Sequence, residues 1–197
     1  MVNPKTGYKI YRKYMRWDAI LKRLPIGKKL IGAEIGVLRG DTAYRVLNNR
    51  SLITHIMVDP WKVPSPGSTY AGQVKEKNAQ KSQADHEKAY QQTVKNTKKF
   101  AKRAIIYRMT SIEASKKIDD YSLDYVFIDG DHSYIGCKKD IELWMRKIKP
   151  GGWIGGHDYK HESRPDLWGI DKAVTEWFGM YTIEEDYNHT WFVRIPD

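Results

Sequence analysis

The sequence has only one cysteine and four phenylalanines, and it contains no apolar run long enough to cross a membrane. Because Cys137 has no second cysteine to pair with, an internal disulfide is excluded, which is typical of proteins in a reducing compartment. The first residues also lack the apolar core of a secretory signal. These absences argue against a disulfide-rich secreted scaffold and a membrane-spanning protein, and they predict a cytoplasmic location.

Acidic side chains are outnumbered, since 24 Asp and Glu stand against 34 Lys and Arg, for a net charge of +10. Such a surface attracts anions, among them nucleic acid, phosphorylated sugars and acidic small molecules. The excess is concentrated near the N-terminus and in residues 73–103, where a solvated surface explains it equally well. No nucleic-acid recognition motif accompanies the charge, so nucleic acid stays an alternative partner.

Apolar runs alternate with amphipathic stretches along most of the 197 residues. The runs predict parallel strands at residues 30–35, 53–58, 104–108, 123–128 and 153–156, and closing antiparallel strands at 181–184 and 190–195. The amphipathic stretches predict helices at residues 8–24, 42–48, 85–100, 135–148 and 170–178. This alternation predicts one α/β domain over residues 1–197, with a doubly wound, mainly parallel sheet. Residues 1–29 are predicted to form its N-terminal helical segment, and residues 62–103 are predicted to form a helical, lid-like insert.

Two glycines join the first predicted strand to the first helix after it. The stretch contains Glu34, Gly36 and Gly40 and leads into Thr42 at the helix start. Glycine permits a tight turn and a close ligand approach, and the helix start offers unpaired N–H groups to an anion. Because the spacing differs from the dinucleotide-binding fingerprint, a turn that serves packing alone remains an alternative.

Polar residues follow the carboxyl ends of the predicted parallel strands, which is the edge where open α/β sheets bind ligands. They are Glu34, Asp59, Thr110, Ser111, Asp129, Asp131, His132, His157 and Asp158. The carboxylate of Asp59 can accept hydrogen bonds from both hydroxyls of a ribose, and the side chain of Trp61 can pack against an adenine. Thr110 and Ser111 suit either an adenine edge or a helix cap.

The acids and histidines after the fourth and fifth strands suggest a metal or a proton-transfer site. Carboxylates suit Mg²⁺, Mn²⁺ or Ca²⁺, which makes Asp129, Asp131, His157 and Asp158 candidate ligands. His132 is the natural general base because the pKa of histidine lies near neutrality, and Asp129 is predicted to act with it. Capping of the following helix is the structural alternative for Asp131 and His132.

Five segments, taken in order, resemble class I S-adenosylmethionine-dependent methyltransferases, in particular the small-molecule branch near the catechol-type and macrocin-type O-methyltransferases. The segments are residues 33–42, 58–61, 127–134, 149–152 and 155–159. The resemblance implies a Rossmann-like sheet and places the cofactor at Glu34, Gly36, Gly40, Thr42, Asp59, Trp61, Thr110, Ser111 and Asp129. In metal-dependent members an ion lies between the fourth and fifth strand ends, which implies Asp129 or Asp131 together with His157 and Asp158. This chain departs from the usual acidic pair by having His157 before Asp158.

The implied activity is methyl transfer from S-adenosylmethionine to a hydroxyl of a small molecule, such as a sugar or a natural-product intermediate. Much of the reduction of the reaction barrier comes from holding the acceptor oxygen in line with the methyl carbon. His132 or a divalent metal such as Mg²⁺ helps to remove the proton of the acceptor hydroxyl. Two alternatives remain open: a nucleic-acid or nucleotide methyltransferase that uses the basic insert, and a hydroxylase-like or cofactor-binding protein on the same scaffold. An anionic acceptor and a homodimer are further open options.

Overall fold

The computed structural model describes residues 15–68, 80–160 and 169–197. Its strands are β1 (Leu30–Ile35), β2 (Ile53–Val58), β3 (Ala104–Tyr107), β4 (Leu123–Ile128), β5 (Ile148–Gly156), β6 (Glu184–Asp186) and β7 (Thr190–Arg194). They form one sheet in the order β3-β2-β1-β4-β5-β7-β6, parallel from β3 to β5, with β7 antiparallel to both of its neighbours. The predicted mainly parallel α/β sheet with an antiparallel C-terminal end is confirmed, but β6 lies at Glu184–Asp186 and not at the predicted residues 181–184.

Six α-helices flank the strands in the described part of the chain. They are α1 (Arg16–Arg23), α2 (Asp41–Asn49), α3 (Gln83–Thr97), α4 (Ser111–Ser115), α5 (Tyr134–Met145) and α6 (Ile170–Phe178), and a 3₁₀ helix follows α3 at Lys98–Arg103. The predicted N-terminal helix is therefore described only from Arg16, because residues 8–14 lie outside the described residues. None of the helices described has the length and apolar character that a membrane span requires.

The junction between α5 and β5 differs from the prediction. The helix ends at Met145, and β5 already begins at Ile148, so residues 149–152 belong to the strand and do not merely end the helix. The pairing of β4 with β5 shifts register between Leu123 and Tyr125, as at a β-bulge. A bulge tolerates proline and glycine, which explains how Pro150 and Gly151 fit within a strand.

The two faces of the sheet carry separate helical layers. Helix α5 and helix α6 cover one face, where Ile141, Trp144 and Phe178 are fully buried. Helices α1 and α2 cover the other face, where Ile20 and Val46 pack with side chains of β4 and β7. Burial of these apolar faces is the main favourable contribution to folding.

Helix α1 is fastened to the C-terminal hairpin by Arg23. Its guanidinium donates to the carboxylates of Asp186 at 2.6 Å and Glu184 at 2.8 Å. It also lies 3.9 Å from the ring centroid of Phe192. Because the Arg23 and Asp186 side chains are only 5% and 3% exposed, this pair fixes the orientation of α1 on the sheet.

Helix α3 belongs to the predicted insert and packs against the turn that follows β1. The Thr93 hydroxyl donates to the Leu38 carbonyl at 3.0 Å, and the Asn96 amide donates to the Arg39 carbonyl at 3.0 Å. Helix α3 therefore forms a wall beside that turn. The lid-like role of residues 62–103 stays a prediction, and residues 69–79 of this insert lie outside the described residues.

Candidate active site

The strand order changes direction between β1 and β4, because the strands that follow β1 lie first on one side of it and then on the other. The crevice at the carboxyl ends of β1 and β4 is the place where such sheets bind ligands. Gly36 lines this crevice with a φ of +86°, and a Cβ on it would lie 2.2 Å from the carbonyl oxygen of Asp129. Gly40 has a φ of +74° and is the N-cap of α2, whose first turn contains the buried Thr42. Glycine at position 36 therefore allows the turn to pass directly against the end of β4.

Asp59 holds the turn that follows β1. Its Oδ2 accepts hydrogen bonds from the backbone N–H groups of Val37 and Leu38, each at 3.0 Å. Its Oδ1 accepts from the N–H of Trp61 at 2.7 Å. Both lone pairs of Oδ2 are thus occupied, whereas Oδ1 has a second lone pair that can accept from a ligand hydroxyl. The structure thus places Asp59 beside the glycine turn, and the ribose contact stays a prediction.

Trp61 is packed within the protein. Its side chain is only 1% exposed, its indole N–H donates to the Leu38 carbonyl at 2.7 Å, and its ring contacts Tyr90 of α3. Leu38, Trp61 and Asp158 also have positive φ values of 53°, 43° and 62°. Strained backbone of this kind is concentrated at functional sites, and here it lies beside the ends of β1, β2 and β5. The adenine contact of Trp61 stays a prediction.

Glu34 lies at the base of the crevice in a buried polar chain. Burial raises the pKa of its carboxyl above the ordinary value, and the contact with His55 at 3.3 Å partly opposes this. The other ring nitrogen of His55 lies 2.7 Å from the hydroxyl of Tyr125. Gly32 stands between these two residues in the sheet, and the Tyr125 ring fills the position that a Cβ of Gly32 would take. Sequence analysis missed His55 and Tyr125 because their contact depends on strand order.

Two carboxylates and two imidazoles meet at the ends of β4 and β5, and we call Asp129, His132, His157 and Asp158 the acid–histidine cluster. The Nε2 of His132 lies 3.6 Å from Oδ1 of Asp129 and 3.4 Å from Oδ2 of Asp158. The Nδ1 of His157 lies 3.7 Å from the same oxygen of Asp129 and 2.8 Å from Oδ2 of Asp158. The structure therefore brings together three of the four predicted metal ligands and adds His132.

Asp131, the fourth predicted ligand, lies at the start of α5. Its Oδ1 accepts from the N–H of Ser133 at 2.9 Å, and its carboxyl carbon occupies the space that a Cβ of Gly136 would fill. This contact is the helix-start role considered as the alternative for Asp131. The metal assignment of Asp131 is not supported by this geometry, because the carboxyl is directed towards the helix backbone.

The donor atoms of the acid–histidine cluster fit a divalent cation. One ligand atom each from Asp129, His132 and Asp158 lie within 4.8 Å of one another. Nδ1 of His157, which lies 2.8 Å from Oδ2 of Asp158, adds a second imidazole nitrogen beside these donor atoms. Because imidazole is a preferred ligand of transition metals, this set suits Mn²⁺, Fe²⁺ or Zn²⁺ better than Mg²⁺.

Arg16 reaches the cluster from the first residue of α1, and its Nη1 contacts Oδ2 of Asp129. Burial would raise the pKa of Asp129, but Arg16 and the neighbouring histidines hold that pKa below its ordinary value. Asp129 is thereby kept ionised. Sequence analysis missed Arg16, since 113 positions separate the two residues and no local pattern distinguishes this arginine from its basic neighbours.

Gly169 is a further contributor to the site that no local pattern in the sequence indicates. Its N–H donates to the carbonyl of His132 at 2.9 Å. A Cβ on Gly169 would lie 2.1 Å from the backbone nitrogen of Tyr134. The start of α6 therefore packs directly on the turn that carries His132, and the signal for this contact is only an isolated glycine at a helix start.

Thr110 and Ser111 make structural hydrogen bonds after β3. Thr110 is the N-cap of α4, and its hydroxyl accepts from the N–H of Glu113 at 3.2 Å. The Ser111 hydroxyl donates to Asp140 and accepts from the indole N–H of Trp144 at 2.8 Å. The helix cap considered for Thr110 is confirmed, and the adenine contacts of both residues stay predictions.

Burial raises the pKa of Asp140 from 3.8 to about 7, although the hydrogen bond from Ser111 opposes the change. Because the folded state then holds a proton that the unfolded state releases, this group removes stability as pH rises from about 4 to about 7. One pKa unit is worth about 1.4 kcal/mol, so the full effect is roughly 4 kcal/mol. We expect Asp140→Asn to gain that stability relative to wild type between pH 4 and pH 8 in urea denaturation.

The exposed variant Asp119→Asn is the control, and its stability should follow the wild-type pH profile. If the stabilities of Asp140→Asn and wild type change in parallel between pH 4 and pH 8, the raised pKa of Asp140 is contradicted.

A family model described as a methyltransferase domain matches residues 33–159. A curated relative, the uncharacterized protein y4gI of Sinorhizobium fredii, is 31% identical over 72 residues, which are 36% of this chain and 8% of that protein. The chain thus spans a small part of that relative.

Several solved structures share the fold. The N-methyltransferase NodS from Bradyrhizobium japonicum has a TM-score of 0.60 at 11% identity, over 92% of this chain and 95% of that one. An O-methyltransferase from Bacillus cereus in complex with SAH has a TM-score of 0.57 at 12% identity, over 84% of this chain and 73% of that one. A precorrin-6y C5,15-methyltransferase from Geobacter metallireducens has a TM-score of 0.58 at 13% identity, over 92% of this chain and 87% of that one.

Proposed function

The chain belongs to the methyltransferase-domain family, and from this premise we propose that it transfers the methyl group of S-adenosylmethionine to a hydroxyl of a small molecule. The observation that carries the proposal is the adjacency of two sites across the β1–β4 crevice. The glycine turn held by Asp59 lies on one side, and the acid–histidine cluster lies on the other. Backbone contact between Gly36 and Asp129 joins them.

The glycine turn and the start of α2 are suited to the amino-acid and ribose parts of the cofactor. The turn presents backbone without side chains at Gly36, and the helix start favours a negatively charged carboxylate. Oδ1 of Asp59 offers its remaining lone pair to a ribose hydroxyl. An O-methyltransferase of Bacillus cereus solved with SAH shares this fold, which is consistent with the assignment.

His132 is proposed as the general base. A hydroxyl acceptor gives up its proton as its oxygen forms the new bond to carbon, and a neutral imidazole can take that proton. Asp129 and Asp158, which lie 3.6 Å and 3.4 Å from Nε2 of His132, would stabilise the imidazolium. The bound cofactor supplies an electrophilic methyl group whose departure leaves a neutral thioether. The protein's main contribution is to hold the acceptor oxygen in line with it.

A divalent metal is proposed as an auxiliary at the same cluster. Asp129, Asp158 and the imidazole of His157 would hold it, and its charge would lower the pKa of a bound hydroxyl. The position of His157 Nδ1, 2.8 Å from Oδ2 of Asp158 and 3.7 Å from Oδ1 of Asp129, supports this. The acceptor is proposed to be a small hydroxylated molecule of the kind used by the catechol-type and macrocin-type branch.

The proposal is tested by isothermal titration of wild type and Asp59→Ala with S-adenosylmethionine. Loss of the carboxylate removes the ribose contacts and frees three backbone N–H groups of the turn, so we expect affinity to fall at least about tenfold. Asp119→Ala, an exposed acid on a surface turn, should bind as wild type does. Equal affinity of wild type and Asp59→Ala would remove the ribose assignment, and absence of binding by wild type would remove the proposed function.

A further inference from the structure

Arg16 introduces a positive charge that none of the sequence motifs predicts at this site. Its side chain is 26% exposed, and its Nη1 contacts Oδ2 of Asp129, whose side chain is 13% exposed. Burial raises the pKa of the Glu34 carboxyl, and the charges of His55 and Arg16 oppose that rise in part. Arg16 lies on a helix outside the parallel strands that supply the rest of the site.

The two oxygens of Asp129 have different partners. Oδ2 faces Arg16, whereas Oδ1 lies 3.6 Å from Nε2 of His132 and 3.7 Å from Nδ1 of His157. A carboxylate is flat, so a partner that fixes one oxygen also fixes the direction of the other. Loss of Arg16 would free Oδ2 and let the carboxylate rotate, so that Oδ1 is no longer held towards the two imidazoles.

The position of Arg16 follows from how α1 is attached. Ala19 and Ile20 of this helix are buried on the sheet, and Arg23, one turn further on, is bound to Asp186 and Glu184 of the C-terminal hairpin. Because both the middle and the end of α1 are fixed on the sheet, its first residue, Arg16, has a fixed position beside Asp129. The contact with Asp129 is therefore built into the fold.

From this arrangement we infer that Arg16 is a positioning residue of the active site: it binds Oδ2 of Asp129 and thereby directs Oδ1 at His132 and His157. This inference rests on the proposed function for its catalytic consequence. Its structural content concerns only the orientation of one carboxylate against two imidazoles. Partners that orient active-site ligands typically change activity or ligand affinity by about 10- to 100-fold when removed.

Imidazole NMR tests the inference without requiring turnover. Long-range ¹H–¹⁵N spectra of wild type, Arg16→Ala, Arg16→Lys and Lys22→Ala are compared, with the ring signals assigned through His132→Gln and His157→Gln. We expect both rings to shift in Arg16→Ala, to lie near wild type in Arg16→Lys, and to be unchanged in Lys22→Ala. Lys22 is the matched control, since it is a cation of α1 that pairs with Asp186 away from the crevice. Identical ring signals in Arg16→Ala and wild type would overturn the inference.

Kinetics supply the second measurement. We expect Arg16→Ala to lower kcat about 10- to 100-fold, with KM for S-adenosylmethionine little changed, and guanidinium ion to restore part of the lost rate. Unchanged turnover in Arg16→Ala, or tighter cofactor binding in that variant, would show that Arg16 obstructs the site or is irrelevant to it, and either result would overturn the inference. If wild type forms no S-adenosylhomocysteine with any acceptor, the proposed function fails, and the imidazole spectra still decide the role of Arg16.

Discussion

Gly36→Ala is expected to abolish binding of S-adenosylmethionine and to destabilise the fold by about 2–5 kcal/mol. The backbone of Gly36 has a φ of +86°, and an added Cβ would meet the carbonyl oxygen of Asp129 at 2.2 Å. Relief of this clash requires the turn after β1 and the end of β4 to separate, which moves the cofactor cradle and the acid–histidine cluster apart. Titration with the cofactor and urea denaturation measure the two effects.

Gly27→Ala is the matched control. Gly27 has a φ of +80°, and a Cβ there would meet no atom within 4 Å. This variant carries the left-handed strain alone, about 1–2 kcal/mol, and should bind the cofactor as wild type does. Equal effects in the two variants would mean that conformational strain, and not the approach to Asp129, makes glycine necessary at position 36.

His132→Gln is expected to lower kcat for methyl transfer by about 10²- to 10⁴-fold while cofactor affinity stays within a few-fold of wild type. Glutamine retains hydrogen-bonding capacity next to Asp129 and Asp158 but cannot accept the acceptor's proton at neutral pH. Production of S-adenosylhomocysteine, measured over a panel of hydroxylated acceptors, gives the rate, and calorimetry gives the affinity.

The exposed His189, which lies in the turn of the C-terminal hairpin, provides the control for this substitution. His189→Gln should turn over at the wild-type rate. A wild-type rate in His132→Gln would assign deprotonation of the acceptor to another group, such as a metal on Asp129 and Asp158, and would leave His132 a structural role.

The elements of the sheet were predictable because their signals are local. Four of the five parallel strands are predominantly apolar runs interrupted by few polar residues, which is the pattern of strands largely buried in a sheet. The exception is β5, in which Pro150 and Gly151 gave a signal for a helix end and a turn. Pro150 and Gly151 can belong to β5 because β5 forms a bulge where it pairs with β4. That bulge is a property of the β4–β5 pairing and not of either strand alone.

The sequence by itself determined the class of the fold, the order of its elements and the edge of the sheet where polar side chains collect. It could do so because parallel strands present all their carboxyl ends at one edge, so residues that follow strands must lie near one another. Tertiary structure alone decided which of these residues meet. Asp131 turns to the start of α5 while His132 faces Asp129, although they are adjacent in the chain. Arg16 and Gly169 reach the site from distant segments through helix packing, which no local pattern encodes.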